Sequence, residues 1–242
     1  MSARGVTALV AGRELAALRR TGALWAFLGA LALVQGLHLL AFAVDERRTS
    51  ERALAIFFHH GAYVMETAGL LLALTMVVVG APADMLWRTA PIRAHHWVAG
   101  RFLAGATAIA LGVLASAHLP ALVLWSGHGA AGHALAGGLG WILVGNLGVA
   151  VGLAGTAIFR RPLAGAVAGG FVLAALELMP MVADRVRPAW RMVFSEAAPV
   201  WAHNDAFRRG IVDLSDAVFL IGLTYTALVS ASVAQNDRRW AP

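Results

Sequence analysis

The chain has no cysteine and no lysine, and it carries few charges of either sign. Without cysteine it forms no disulfide and no thiolate metal site. Only 13% of its 242 residues are charged, compared with about 25% in a typical soluble domain. This shortage of charge excludes an ordinary soluble domain.

Apolar residues make up 60% of the chain and gather in long runs. A helix that crosses a bilayer needs about 20 mostly apolar residues. We therefore predict an all-α integral membrane protein with six transmembrane helices. The six predicted spans are 22–44, 62–80, 98–125, 134–159, 163–181 and 217–234. An earlier start of the second span, in "ALAIFFHHG", stays open.

The whole chain, 1–242, is predicted to form a single transmembrane domain. Residues 1–21 are a lead-in, and we expect an interfacial helix over 6–20. Segment 182–216 is too charged to span and contains two tryptophans, so we predict short interfacial or re-entrant helices outside the membrane. Residues 235–242 form a predicted cytoplasmic tail.

The arginines predict the orientation of the chain. They cluster at the ends of apolar runs, so the positive-inside rule explains the high pI better than nucleic-acid binding does. The short stretches "RTAPIR" and "FRRP" fall on one side, and the arginine-free "SGHGAAGH" falls on the other. We expect both termini to be cytoplasmic.

Two carboxylates, Glu66 and Glu177, lie inside predicted spans near their outer ends. A carboxylate in hydrocarbon is costly and usually faces protein or water. One interpretation is a polar site on a translocation path or a proton relay. The other is a carboxylate hydrogen-bonded between helices near the surface.

Neither a metal site nor a catalytic site is predicted. Adjacent histidines such as His95 and His96 point about 100° apart on a helix, and no ligand follows at helical spacing. The chain has no P-loop, no GxSxG and no HExxH motif. It is not expected to be an enzyme, and any ATP must be bound by another subunit.

Two stretches carry a resemblance to a known family. In "TAPIRAHHWVAGRF", the matching positions are Thr89, Ala90, Pro91, Ile92, Val98, Gly100, Arg101 and Phe102. In "DAFRRGIVDLSD" and the closing "RRW", they are Phe207, Arg209, Gly210, Ile211, Val212, Asp213, Leu214, Asp216, Arg238, Arg239 and Trp240. With the six-span layout, the chain resembles permease subunits of ABC-2-type transporters, closest to the gliding-motility-associated branch.

The resemblance implies a bacterial cytoplasmic (inner) membrane protein that pairs with a second permease copy or paralogue. ATP and Mg would be bound by a separate cytoplasmic ATPase, and extracytoplasmic accessory proteins often join such complexes. Members of the family export lipids, polysaccharides or drugs, or transmit force to envelope components. The chain departs from the family just before Thr89, where a charged run is reduced to "GAPADMLWR".

The resemblance also implies an ATPase-coupling element between the second and third spans. Its residues are Asp84, Trp87, Arg88, Pro91, Ile92, Arg93, His95, His96 and Trp97. We expect Pro91 to end the second span and begin a short helix. The tryptophans should lie at headgroup level, and the basic and histidine side chains should face the cytoplasm.

A second motif lies outside the membrane and consists of Phe207, Arg209, Gly210, Asp213 and Asp216. The two aspartates suit the positive N-terminal end of the last span, as a helix cap would. The same motif also suits docking of an extracytoplasmic partner.

Two functions of other classes stay open. One is a non-transporting membrane scaffold that recruits soluble partners through its basic inner face. The other is an ion- or proton-coupled carrier that uses Glu66 and Glu177.

Overall fold

The computed structural model describes residues 3–43, 50–89, 92–125, 131–159 and 161–240, without the side chains of 3–4, 42–43, 50–51, 81–89 and 238–240. Within these ranges every regular element is a helix. The elements are α1 (Ala3–Arg20), α2 (Ala23–His38, continued by a π-helical turn Leu39–Ala43), α3 (Ser50–Thr89), α4 (Ala94–Ser116), α5 (His118–Trp125), α6 (Ala131–Ile158), α7 (Pro162–Leu178), α8 (Pro180–Ala183), α9 (Pro188–Ser195), α10 (Asp205–Arg208) and α11 (Leu214–Trp240).

Five stretches of helix in the described ranges are long and apolar enough to cross a membrane: Ala23–Ala41, Arg52–Gly80, Ala94–Trp125, Ala131–Ile158 and Leu214–Asp237. They correspond to five of the six predicted spans, as expected of an all-α, multi-pass membrane protein. The remaining predicted span, 163–181, corresponds to a shorter apolar helix, α7.

The second apolar helix begins at Ser50, before residue 62 and before the earlier start in "ALAIFFHHG" that the sequence leaves open. The reason is a cluster of rings that holds its first turns in the core. Phe57 and Phe58 are almost completely buried, and their ring centroids lie 5.0 and 4.9 Å from that of Trp141 on α6. The indole N–H of Trp141 donates to the Phe58 carbonyl at 2.9 Å, which fixes the register of α3 on α6.

Two prolines divide helices that the hydropathy pattern leaves continuous. Pro120 follows the break between α4 and α5, where the amide of Ala117 bonds to the Leu114 carbonyl. Pro180 opens α8, and just before it the amide of Met179 bonds to the Leu176 carbonyl. A proline has no amide proton and its ring crowds the carbonyl four residues earlier, so each helix tightens and ends before it.

Helix α6 is the centre of the bundle. In its most apolar stretch 78% of the residues are buried, compared with 17% for α2 and for α11. It touches α3 almost backbone to backbone, because a Cβ on Gly69 would lie 2.2 Å from the Gly145 carbonyl oxygen. A Cβ on Gly148 would lie 2.1 Å from the Glu66 carbonyl oxygen. Small residues allow such close helix contact inside a membrane.

The bundle has two ends. At one of them, which we call the α1 end, Trp97 of α4, Thr156 of α6 and Gln235 of α11 line one small cavity. At the opposite end, His59 near the start of α3 has its ring 6.0 Å from that of Trp201 in the 182–216 segment. The start of α4 and the predicted external segment 182–216 therefore lie at different ends of the described structure.

We predict that Gly148→Ala destabilises the protein by about 1–3 kcal/mol, the usual cost of overpacking a tight contact. The added methyl group would meet backbone of α3, which cannot rotate away as a side chain can. The measurement is the thermal unfolding midpoint of the detergent-solubilised protein, followed by tryptophan fluorescence.

Gly222→Ala in α11 is the matched control, because a Cβ there meets nothing within 4 Å. Its midpoint should stay unchanged or rise slightly, since alanine favours helix over glycine. Equal midpoints for the two variants would contradict the close packing of α3 on α6.

Candidate functional site

The connection from α3 to α4 carries the predicted coupling element. Its described part enters α4 directly, with Ile92 and Arg93 non-helical and Arg93 at the N-cap in an extended conformation. The predicted short helix from Pro91 is therefore wrong over the described residues, because α4 starts only at Ala94 and runs on unbroken. Pro91 itself lies outside the described residues, as do the side chains of Asp84, Trp87 and Arg88, whose backbone belongs to α3.

The described side chains of this element differ in how far they are exposed to solvent. Arg93 and His95 are exposed, whereas His96 is half-buried. The rings of His95 and His96 lie 4.1 Å apart, and Nδ1 of His96 lies 3.4 Å from the Thr7 hydroxyl on α1. Among the described side chains of the element, Arg93 and His95 are therefore the exposed ones.

Trp97 does not lie at the surface, and its predicted role as a headgroup anchor is wrong. Its side chain is 2% exposed, because α1 covers this face of α4. The ring centroid lies 5.0 Å from the Arg101 guanidinium carbon and 5.6 Å from that of Arg13 on α1. The negatively polarised face of an indole attracts such cations, so Trp97 helps to hold α1 against α4.

A buried ion pair joins the same two helices. Arg101 donates through Nε to the Glu14 carboxylate at 3.3 Å, and both side chains are almost completely buried. The sequence analysis does not identify this pair. One signal was present, since Arg101 lies within the predicted span 98–125 and an intramembrane charge needs a partner.

Glycines bring three helices together around this pair. A Cβ on Gly80 of α3 would lie 2.6 Å from Nη2 of Arg101. A Cβ on Gly100 of α4 would lie 2.6 Å from Cβ of Val10 on α1. Helices α1, α3 and α4 therefore enclose the ion pair, and the start of α4 is fixed relative to α1.

The two carboxylates within apolar helices have different surroundings. Glu177 accepts hydrogen bonds from the amides of Val200 at 2.7 Å and Trp201 at 3.3 Å, which is the hydrogen-bonded arrangement considered for it. Glu66 is 5% exposed and lies at the middle of the Arg52–Gly80 stretch, not near its end. Its Oε1 has no hydrogen-bond partner among the described residues.

The external motif leads into α11, and its two aspartates lie at the start of that helix. Asp213 is its N-cap, because the Asp213 carboxylate accepts from the Ser215 amide at 2.8 Å while the Asp213 carbonyl accepts from the Ala217 amide. The Ser215 hydroxyl donates to the same carboxylate. These hydrogen bonds to the charged form lower the pKa of Asp213, and they agree with the predicted capped helix entrance.

His203 links the external segment to Asp216 on α11, and the sequence analysis does not select it. His203 Nδ1 lies 2.8 Å from the Asp216 carboxylate, and Nε2 lies 2.9 Å from the Glu196 carbonyl oxygen. The His203 ring also stacks on Phe219, with centroids 3.7 Å apart. Both ring nitrogens therefore face oxygen atoms, one on α11 and one in the external segment.

The remaining members of the motif have structural partners. Phe207 is fully buried, and Arg209 pairs with Asp205. Gly210 has φ of +83°, and a Cβ there would lie 2.9 Å from Nδ1 of His133. Only glycine fits such a left-handed position at low cost.

Among the described residues no group of three histidine, cysteine or acidic side chains is placed to hold a metal ion. No protein-family model matches the chain, and no curated protein matches it either. Any function therefore has to be argued from the surfaces described above.

We predict that removing one member of the buried ion pair is far more harmful than removing both. Glu14→Gln takes one carboxylate away from the buried Arg101 guanidinium, at a cost of about 3–5 kcal/mol in the free energy of unfolding. The double variant Glu14→Leu/Arg101→Met removes both charges of this pair and should be clearly more stable than Glu14→Gln. Chemical denaturation in detergent measures both.

The exposed pair Asp184–Arg191 is the control, and Asp184→Asn should change stability by less than about 1 kcal/mol. If the double variant is no more stable than Glu14→Gln, the two charges do not mainly neutralise each other, and the prediction is wrong.

Proposed function

We propose that the chain is the permease subunit of an ABC-2-type transporter, closest to the gliding-motility-associated branch. It pairs with a second copy or paralogue in the bacterial inner membrane and couples to a separate cytoplasmic ATPase. ATP hydrolysis in that subunit drives export or mechanical work on envelope components.

The observation that carries the proposal is the attachment of the coupling element to α1. Arg93 and His95 are exposed at the start of α4, while the next turns are held by Trp97 and by the Glu14–Arg101 pair. Because this backing is buried and tightly packed, force applied to the exposed residues passes to α1, α3 and α4 together. A subunit driven by an external ATPase needs such a firmly backed contact surface.

The course of α7 supports the six-span layout of this family. Gly165 near its start touches Gly155 of α6, where a Cβ on Gly155 would lie 2.2 Å from the Gly165 carbonyl oxygen. Its other end carries Glu177, which binds the amides of 200 and 201 at the opposite end of the bundle. At 17 residues and about 1.5 Å per residue, α7 covers about 25 Å, which is near the hydrocarbon thickness of about 30 Å.

Glu66 favours a second candidate, an ion- or proton-coupled carrier. A buried carboxyl group at the middle of an apolar stretch, with an oxygen that no described residue bonds, is the kind of group such carriers use. The scaffold hypothesis gains no comparable observation.

We expect the chain to co-purify with an ATPase encoded by a neighbouring gene that has Walker motifs, after co-expression and affinity capture. The double variant Arg93→Ala/His95→Ala should reduce the captured ATPase strongly, because it removes the exposed charge and ring from the contact surface. Arg161→Ala is the matched control, since Arg161 is also an exposed N-cap arginine in an extended conformation, at the same end of the bundle.

Failure of the wild-type chain to capture any such ATPase would overturn the proposal. Equal capture by the double variant and the control would remove Arg93 and His95 from the coupling surface. A proton-coupled carrier would be the better proposal if two results are found together. The first is that no ATPase binds, and the second is that Glu66→Gln abolishes proton-driven uptake into vesicles.

A further inference from the structure

An open groove runs along the outside of the bundle between α4 and α11, starting at the α1 end. Its volume is about 820 Å³. The α11 side of the groove is a single helical face at spacings of three and four residues, made of Tyr225, Leu228, Val229, Ser232, Val233 and Asn236. The α4 side is made of Ala94, His95, Val98 and Ala99, and Arg93 lies at its end.

The length of the groove matches one leaflet of a bilayer. From Tyr225 to Asn236 there are 11 residue steps, which span about 16 Å along a helix. Half of a hydrocarbon core of about 30 Å is about 15 Å. Arg93 precedes the apolar stretch Ala94–Trp125, so its guanidinium lies where the core gives way to headgroups.

The polarity of the lining changes along this length. Tyr225, Val229 and Val233 are exposed on α11 and, together with Val98, present mainly carbon to the groove. Four polar lining residues, Arg93, His95, Ser232 and Asn236, lie in the half of the groove at the α1 end, where Val233 lies between the last two. Tyr225 adds a hydroxyl group at the other end. The backbone of α11 continues through Arg238 and Arg239 at the same end. Asp237 follows Asn236 but is not part of the groove lining.

We propose that this groove binds one anionic phospholipid of the leaflet at the α1 end. An acyl chain lies along Val98, Val229 and Val233, and the headgroup phosphate pairs with Arg93. Arginine suits this role because its planar guanidinium can donate two parallel hydrogen bonds to a phosphate.

A second copy of the chain fits the groove less well. Copies related by a twofold axis place the same patch of both subunits in one interface. Such an interface would take in Arg93 of both copies, and the groove lining contains no carboxylate to neutralise either of them. An anionic lipid neutralises the same charge instead.

The proposal does not depend on coupling to an ATPase, because it requires only that the chain lies in a bilayer. It does place lipid against Arg93 and His95, which also form the proposed coupling surface. The charge of the leaflet would then influence how accessible Arg93 and His95 are to an ATPase.

Native mass spectrometry of the detergent-purified chain tests the proposal. The probes are phosphatidylglycerol and phosphatidylcholine with identical acyl chains, each titrated into wild type and variants. We expect one phosphatidylglycerol to be retained in preference to phosphatidylcholine. Arg93→Gln should weaken retention of phosphatidylglycerol about fivefold, the effect of one basic residue near a charged membrane surface, and leave phosphatidylcholine unchanged.

Two matched controls keep the test specific. Arg161→Gln removes an exposed N-cap arginine at the same end but away from the groove, and it should retain phosphatidylglycerol as wild type does. Val229→Trp fills the groove and should weaken retention of both lipids. Ile221→Trp, exposed on α11 outside the groove lining, should weaken neither.

Three results would overturn the proposal. The first is equal retention of the two lipids by wild type. The second is an equal loss of phosphatidylglycerol in Arg93→Gln and Arg161→Gln, which would indicate a diffuse positive surface. The third is unchanged lipid retention in Val229→Trp together with a shift from dimer to monomer, which would make the groove a contact between copies.

Discussion

The close contact of α3 with α6 sets the positions of the other functional parts of the bundle. Glycines at 69, 145 and 148 let the two backbones touch, so α3 has essentially one position on the central helix. The same α3 carries Glu66 at the middle of its apolar stretch and Gly80 beneath the Glu14–Arg101 pair. The interior carboxyl group and the charged junction at the α1 end are therefore fixed by one helix contact. A larger residue at these glycines would move both of them.

At the α1 end, the structure buries the groups that hold helices together and exposes those that could meet a partner. Trp97 and Arg101 are covered by α1, whereas Arg93 and His95, on the preceding turn, stay accessible. Burying an ion pair is costly unless its geometry is good, and here Glu14 and Arg101 meet directly between three helices. The gain is a fixed position for the start of α4, between the proposed ATPase contact and the proposed lipid groove. Both proposals use Arg93, so lipid and ATPase would compete for it or act on it together.

Much of the helical architecture follows from the sequence, because apolar length, proline and arginine placement act locally. The α1 helix, the capped start of α11 at Asp213 and the short helices of 182–216 were all expected on such grounds. Contacts between distant segments were not. Trp97 was taken for a headgroup anchor because tryptophans favour interfaces, and nothing local shows that α1, almost ninety residues earlier, covers it. The Glu14–Arg101 pair and the His203–Asp216 pair were missed for the same reason, since each depends on how helices pack.

The proposed function requires that the two ends of the bundle lie at the two faces of a membrane, with Arg93 and His95 on the cytoplasmic side. Because the chain has no cysteine, single cysteines placed by mutation test this directly with a membrane-impermeant maleimide applied to intact cells. We expect Ile211→Cys to react in intact cells, and His95→Cys, Arg161→Cys and Asp237→Cys to react only after the membrane is permeabilised. Reaction of His95→Cys in intact cells, or labelling of Ile211→Cys and Asp237→Cys from the same side, would rule out this orientation.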